Sequence, residues 1–183
     1  MADYFPLKAQ TRYEYKFTST EFDGTAKIFI DILNVKGGAK ATAEARMIFE
    51  LRDTHTTKYL ITRDAKWVTT ADGVITGGRR EFPLPAKEGA KWNEAPDSSE
   101  IVSTSDKVSI KAGKFAKCMK VVTMLAGGDA GKSVRYYAPG VGYILEEYGG
   151  EDKTCEVELV AVTKVPEEPK KGRKKAADAE TEE

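Results

Sequence analysis

The sequence predicts a mainly β protein: one antiparallel domain of about ten to twelve strands over residues 1–165, followed by a charged tail. Three observations carry this. Apolar and polar residues alternate with period two over many short stretches. Glycine-rich or Asp-Gly turns separate these stretches at short intervals. Helix propensity competes in one place, residues 39–52, and no N-cap residue stands next to its start. A chain of 183 residues is long enough for one such domain with a core of its own.

The elements follow in order. Arg12 to Thr20 places Tyr13, Tyr15 and Phe17 on one face and Arg12, Glu14 and Lys16 on the other. Lys27 to Val35 sets Ile28, Ile30 and Ile32 against Phe29, Asp31 and Leu33, and Gly37-Gly38 closes a hairpin. Residues 39–52 contain the helix formers of AKATAEARMIFELR, yet they follow a Gly-Gly turn between strand patterns, so they are read as a strand. Strands are expected at 56–62, 67–70 and 74–76, turning at Arg63-Asp64 and Asp72-Gly73. The prolines of Phe82-Pro83-Leu84-Pro85 are expected to take that segment out of the ladder. Further strands are expected at 91–95, 99–104, 107–112, 116–125, 132–138, 143–148 and 153–165. The turns between them include Ala112-Gly113, Gly127-Gly128, Pro139-Gly140 and Gly149-Gly150. Such a pattern fits a meander sheet, a barrel or a sandwich. After Val165, PEEPKKGRKKAADAETEE lacks the apolar residues needed to offset its ordering entropy and reads as a disordered tail, 166–183.

Composition and motifs narrow the chemistry. Twenty-nine basic residues balance twenty-nine acidic ones, so no global field draws in nucleic acid or an anionic membrane. No apolar run approaches the length of a transmembrane segment, and Met1 to Pro6 lacks a signal-peptide pattern. The chain as written reads as cytoplasmic, or as periplasmic or secreted if a leader has been removed. Cys118 and Cys155 read as buried thiols, with a disulfide the better reading only for an exported protein.

No catalytic residue, metal ligand or cofactor site is assigned. The stretch from Ala126 to Ser133 resembles a phosphate loop, but Ala126 stands where that loop needs Gly, and a strand rather than a helix follows. His55 is the sole histidine, and the two cysteines lack zinc spacing. The G-x-S-x-G elbow and the Asp-x-Asp calcium loop do not occur. Glu146-Glu147 and the Glu156/Glu158 row offer carboxylates, but no two stand out. The aromatics remain. Tyr13, Tyr15 and Phe17 stripe one strand, while Tyr136, Tyr137 and Tyr143 gather around Pro139-Gly140. With Trp67 and Trp92 they form the candidate ligand-binding set, against the alternative of ordinary sheet packing.

Several strings together resemble a group of uncharacterised bacterial β domains. They are Tyr4-Phe5-Pro6-Leu7 before an aromatic strand, Phe82-Pro83-Leu84-Pro85 with Gly89 and Trp92, the segment Ile110 to Val121, and Tyr136-Tyr137-Ala138-Pro139-Gly140-Val141-Gly142. The resemblance covers Tyr4 to about Val165. Tyr13 stands where that group usually has Trp. It implies a single curved, open antiparallel sheet, a half-barrel similar to the lipoprotein-carrier (LolA-like) fold, in proteins often exported or lipidated. The expected role is a non-enzymatic binding module for a hydrophobic small molecule or a protein segment on the concave face. An assembly protein acting through sheet edges and tail is the alternative, and a substrate-shaping enzyme a third reading.

Overall fold

The computed structural model describes residues 2–127 and 130–167; the expected tail, from residue 168 on, lies outside the described residues. The chain forms one twelve-stranded antiparallel sheet. The strands are β1 (Thr11–Ser19), β2 (Ala26–Gly37), β3 (Ala41–Glu50), β4 (Thr54–Arg63), β5 (Trp67–Thr70), β6 (Arg79–Pro83), β7 (Lys91–Glu94), β8 (Asp97–Ile110), β9 (Gly113–Leu125), β10 (Gly131–Ala138), β11 (Gly142–Gly150) and β12 (Thr154–Lys164). The helix-prone segment is strand β3, paired on both sides, so tertiary pairing overrides its local propensity.

Strand order is β6-β5-β4-β3-β2-β1-β12-β11-β10-β9-β8-β7. Among the described residues consecutive strands pair, except β6 with β7, and β1 also pairs with β12. The sheet is therefore a meander rolled nearly closed, with one seam. At that seam the Glu94 carboxylate on β7 accepts the Arg80 backbone N–H on β6, at 3.0 and 3.1 Å to its two oxygens. The rings of Trp67 and Trp92 also meet there, with centroids 6.2 Å apart. A carboxylate thus stands in for the missing ladder bond and blunts an otherwise open edge.

The interior face carries Tyr13, Tyr15 and Phe17 of β1 against Ile28 and Ile30 of β2, in the register Tyr13↔Ile30 and Tyr15↔Ile28. On the outer face Asp31 is buried beneath Arg12 and Arg46, at 2.6 and 2.8 Å. Burial pushes its pKa up, but the two guanidiniums outweigh burial and hold it below the usual carboxylate range.

Four local expectations are corrected. Residues 74–76 are not a strand: they belong to the 71–78 loop, with Val74 and Ile75 packed on the core. Phe82 and Pro83 stay in the ladder, paired with Val68 and Trp67. Proline is tolerated there because it ends a sheet-edge strand. The segments 99–104 and 107–112 form one strand, β8, bent by successive register shifts between Ile101 and Val108. His55 lies in β4 opposite Phe49, exposed, rather than in a turn.

The bend in β8 folds the β8–β9 hairpin tip over the barrel interior, where the Ala112 N–H donates to the Leu159 carbonyl of β12. An N-terminal strap, residues 2–10, crosses the same interior. Its Tyr4 hydroxyl donates to the carbonyls of Lys117 (3.2 Å) and Thr104 (3.4 Å). Its Asp3 carbonyl accepts the Gly140 N–H at 2.7 Å.

Candidate functional site

The strap meets the β10–β11 turn at Pro6 and Gly142. Gly142 has φ +106°, which disfavours any side chain, and a Cβ there would stand 3.5 Å from Pro6 Cδ. The YFPL and YYAPGVG strings, far apart in sequence, therefore build one end of the barrel together. Below them lies a cavity of about 60 Å³. Its walls are Tyr13, Tyr15, Tyr59, Tyr143, Ile30 and Ile61, and it is roofed by Phe5 and Pro6 of the strap and Val74 of the loop.

Of the eight candidate aromatics, the structure gathers Tyr13, Tyr15 and Tyr143 on this cavity. The Tyr15 hydroxyl donates to the Tyr143 carbonyl at 3.0 Å. Tyr137 is buried beside them, its ring 5.9 Å from Tyr143 and 5.1 Å from Phe82. Phe17 packs in the core with Phe22 and Phe49. Trp67 and Trp92 sit at the seam, with Arg80 stacked over Trp67 at 4.9 Å. Tyr136 alternates with Arg135 and Tyr137 onto the other face of β10, where Lys120 lies over its ring at 5.4 Å.

The cavity floor is ionic. Glu81 of β6 accepts hydrogen bonds from Thr70 Oγ1 (2.8 Å), Arg79 Nε (3.1 Å), Arg135 (3.0 Å) and the Tyr137 hydroxyl. Glu146 of β11 accepts from Ser133 Oγ (2.6 Å), the Tyr143 hydroxyl (2.6 Å) and Arg79 (3.2 Å). Arg135 donates its second nitrogen to Thr123 Oγ1 at 2.7 Å. Two carboxylates and two guanidiniums are thus buried together, charge against charge, as the interior demands.

Burial pushes the Glu81 pKa up, but Arg79 and Arg135, with hydrogen bonds from Tyr137 and Thr70, overcome it and bring it to about 2. Glu146 is likewise held low against its burial, by Arg79, Arg135, Ser133 and Tyr143. Burial raises the Tyr13 phenol to about 12 and those of Tyr15, Tyr137 and Tyr143 well above the ordinary value. Both carboxylates are therefore ionised and all four phenols neutral at pH 7.

Sequence reasoning missed this network because no two carboxylates stood out and the basic residues were weighed only as overall charge. A signal was present. Ile144, Glu146 and Tyr148 share one strand face, so Glu146 lies in an apolar row, and Arg135 shares its face with Ser133 and Tyr137. Glu81 had no such signal. A register shift pairs Phe82 with Val68 and Arg80 with Thr69, leaving Glu81 as the bulged residue, and both Glu81 and Phe82 are buried.

Fold and site together define a rolled, single-sheet β domain with a small tyrosine-lined cavity over a buried ion-pair floor. Two solved structures share this architecture. The "putative exported protein with YmcC-like fold" of Bacteroides fragilis NCTC 9343 is similar with TM-score 0.63 and 13% identity, over 90% of this chain and 100% of that one. A "putative lipoprotein" of Parabacteroides distasonis ATCC 8503 is similar with TM-score 0.59 and 12% identity, over 88% of this chain and 99% of that one. At these identities the likeness is one of fold. No protein-family model matches the chain, and no curated protein does. Among the described residues, no group of three or more His, Cys, Asp or Glu is placed to hold a metal ion, and no helix is long and apolar enough to cross a membrane.

Proposed function

We propose that the chain is a non-catalytic binding protein that takes an apolar group, from a small molecule or a partner segment, into the tyrosine-lined cavity. The observation that carries this is the roof. The walls are sheet, whereas the cover is the strap at Phe5 and Pro6 and the loop at Val74. Strap and loop move at far lower cost than strands in a continuous ladder. At about 60 Å³ the cavity fits only the end of a chain. A larger ligand needs the roof displaced, since drug-sized sites run to roughly 300 Å³ and more.

A binding role fits the electrostatics better than a catalytic one. A general acid or base needs a pKa near the working pH, and Glu81, Glu146 and the cavity tyrosines are all held far from it. The names of the two fold neighbours, one exported and one a lipoprotein, support a periplasmic or secreted location over the cytoplasmic one. The resemblance to lipoprotein-carrier half-barrels is part of the same reading.

Native mass spectrometry of protein purified from cell extract without denaturant tests this. An added mass that organic extraction removes is expected. A bare polypeptide mass from several expression hosts counts against the proposal.

A further inference from the structure

A second cavity, of about 330 Å³, lies at the seam beyond the ion-pair floor, and its chemistry is unlike that of the first. Its walls come from both edges of the sheet and from β8, β9 and β10: Thr76 and Gly77, Arg80, Glu94, Ser99 and Thr123 among them. Arg79 borders both cavities, so the ionic floor separates an apolar compartment from a polar one.

The polar wall offers donors and acceptors in near balance. Ser99 and Thr123 hydroxyls stand 2.8 Å apart, and Thr123 already accepts from Arg135, so one hydroxyl hydrogen of the pair is spare. Thr76 Oγ1 accepts from Arg79 at 2.5 Å, leaving its own hydrogen to donate. The Arg80 guanidinium stacks on Trp67 and reaches Glu94 only at 4.0 Å, so its N–H groups are open to a ligand. Glu94 and Asp97 supply carboxylate oxygens with remaining lone pairs: both of Glu94's already accept the Arg80 backbone N–H, and one of Asp97's the Ala126 N–H.

The charges exclude a simple anion site. Arg79, Arg80 and Arg135 line the cavity, but Glu94 and Asp97 line it too. Behind them Glu81 and Glu146, both ionised, hold Arg79 and Arg135. Carboxylates outnumber guanidiniums by one, so no net positive field remains for phosphate or sulfate. A wall of mixed donors and acceptors without net attraction for an anion matches a ligand whose groups both donate and accept, namely hydroxyls.

We propose that this seam cavity is a binding site for a neutral, polyhydroxylated ligand of sugar type. Its volume is in the range of small-ligand sites.

Gly77 provides the test variant, because a Cβ there meets nothing within 4 Å and its φ lies outside the left-handed region. Gly77→Phe therefore adds a ring at the cavity rim without backbone strain, and an unchanged melting temperature verifies that the fold is kept. Saturation-transfer NMR on the full chain, with methyl α-D-glucoside, N-acetylglucosamine and maltose as probes, is expected to show binding by at least one sugar. Gly77→Phe is expected to weaken it about tenfold, equivalent to ~1.4 kcal/mol. Ser99→Ala, a smaller change, is expected to weaken it about threefold or more. Ile30→Phe, which fills the other cavity, is expected to leave it unchanged, so the two sites fail independently. No transfer from any of the three sugars, transfer insensitive to both Gly77→Phe and Ser99→Ala, or displacement of the sugar by equimolar sulfate overturns the proposal.

Discussion

Arg135 and Glu81 stand 3.0 Å apart in the barrel interior, although seven strands lie between β10 and β6 in the sheet. Together with Arg79 and Glu146, they tie the free edge at β6 to the far side of the sheet. The ion pairs thus act as a latch that keeps the rolled sheet closed where the β6–β7 ladder is missing. Removing one partner leaves a buried charge uncompensated, so Glu81→Gln is expected to destabilise the fold by roughly 3–5 kcal/mol. Equilibrium urea unfolding measures this; a loss under about 1 kcal/mol contradicts the latch.

The same residue sets an acid limit. The folded-state pKa of Glu81, about 2, lies below the ordinary carboxylate value. Its ionised form therefore stabilises the fold fully above about pH 4.5, and that contribution disappears as pH falls toward 2. Thermal melts are expected to fall steeply across this window. In Glu81→Gln the fall is expected to be shallower, with Glu146 and Asp31, both also held low, accounting for the remainder.

The strap depends on one glycine. Gly142→Val places a branched side chain at φ +106° and drives it toward Pro6 and the Tyr4 carbonyl. A cost of roughly 1–3 kcal/mol is expected. Proteolysis within residues 2–10 should accelerate in the variant, measured by limited digestion; unchanged digestion shows that the strap does not rest on this contact.

Cys118 is buried, and burial with the nearby Asp106 charge raises its thiol pKa to about 11. The thiolate is the reactive form. Iodoacetamide at pH 8 is expected to spare Cys118 in the native protein and modify it in urea, as read by peptide mass spectrometry. Rapid native alkylation contradicts its placement in the core.

Much of the fold was legible in local pattern. Tyr13, Tyr15 and Phe17 do share one interior face, and Gly37 does end β2 before a hairpin. The errors arose where position in the sheet outweighs local residue type. Pro83 is permitted because β6 is an edge, and 99–112 is one strand because bulges absorb its irregular alternation. The site was half legible. Aromatic stripes led to Tyr13, Tyr15 and Tyr143, but the ion-pair floor requires Arg79 and Glu81 to reach across the barrel to Arg135 and Glu146. The strand faces of Glu146 and Arg135 hint at their burial, but which groups pair across the barrel has no local trace.

The central claim is that an apolar group enters beneath the strap into the tyrosine-lined cavity. Titration with the apolar fluorophore N-phenyl-1-naphthylamine tests it most directly, comparing the native sequence with Ile30→Phe and Tyr4→Phe. Saturable binding is expected in the native sequence. It should weaken about tenfold when Ile30→Phe fills the cavity. It should strengthen or accelerate when Tyr4→Phe removes the hydroxyl bonds to Thr104 and Lys117 that hold the strap. Absence of saturable binding, or binding that Ile30→Phe leaves untouched, contradicts it.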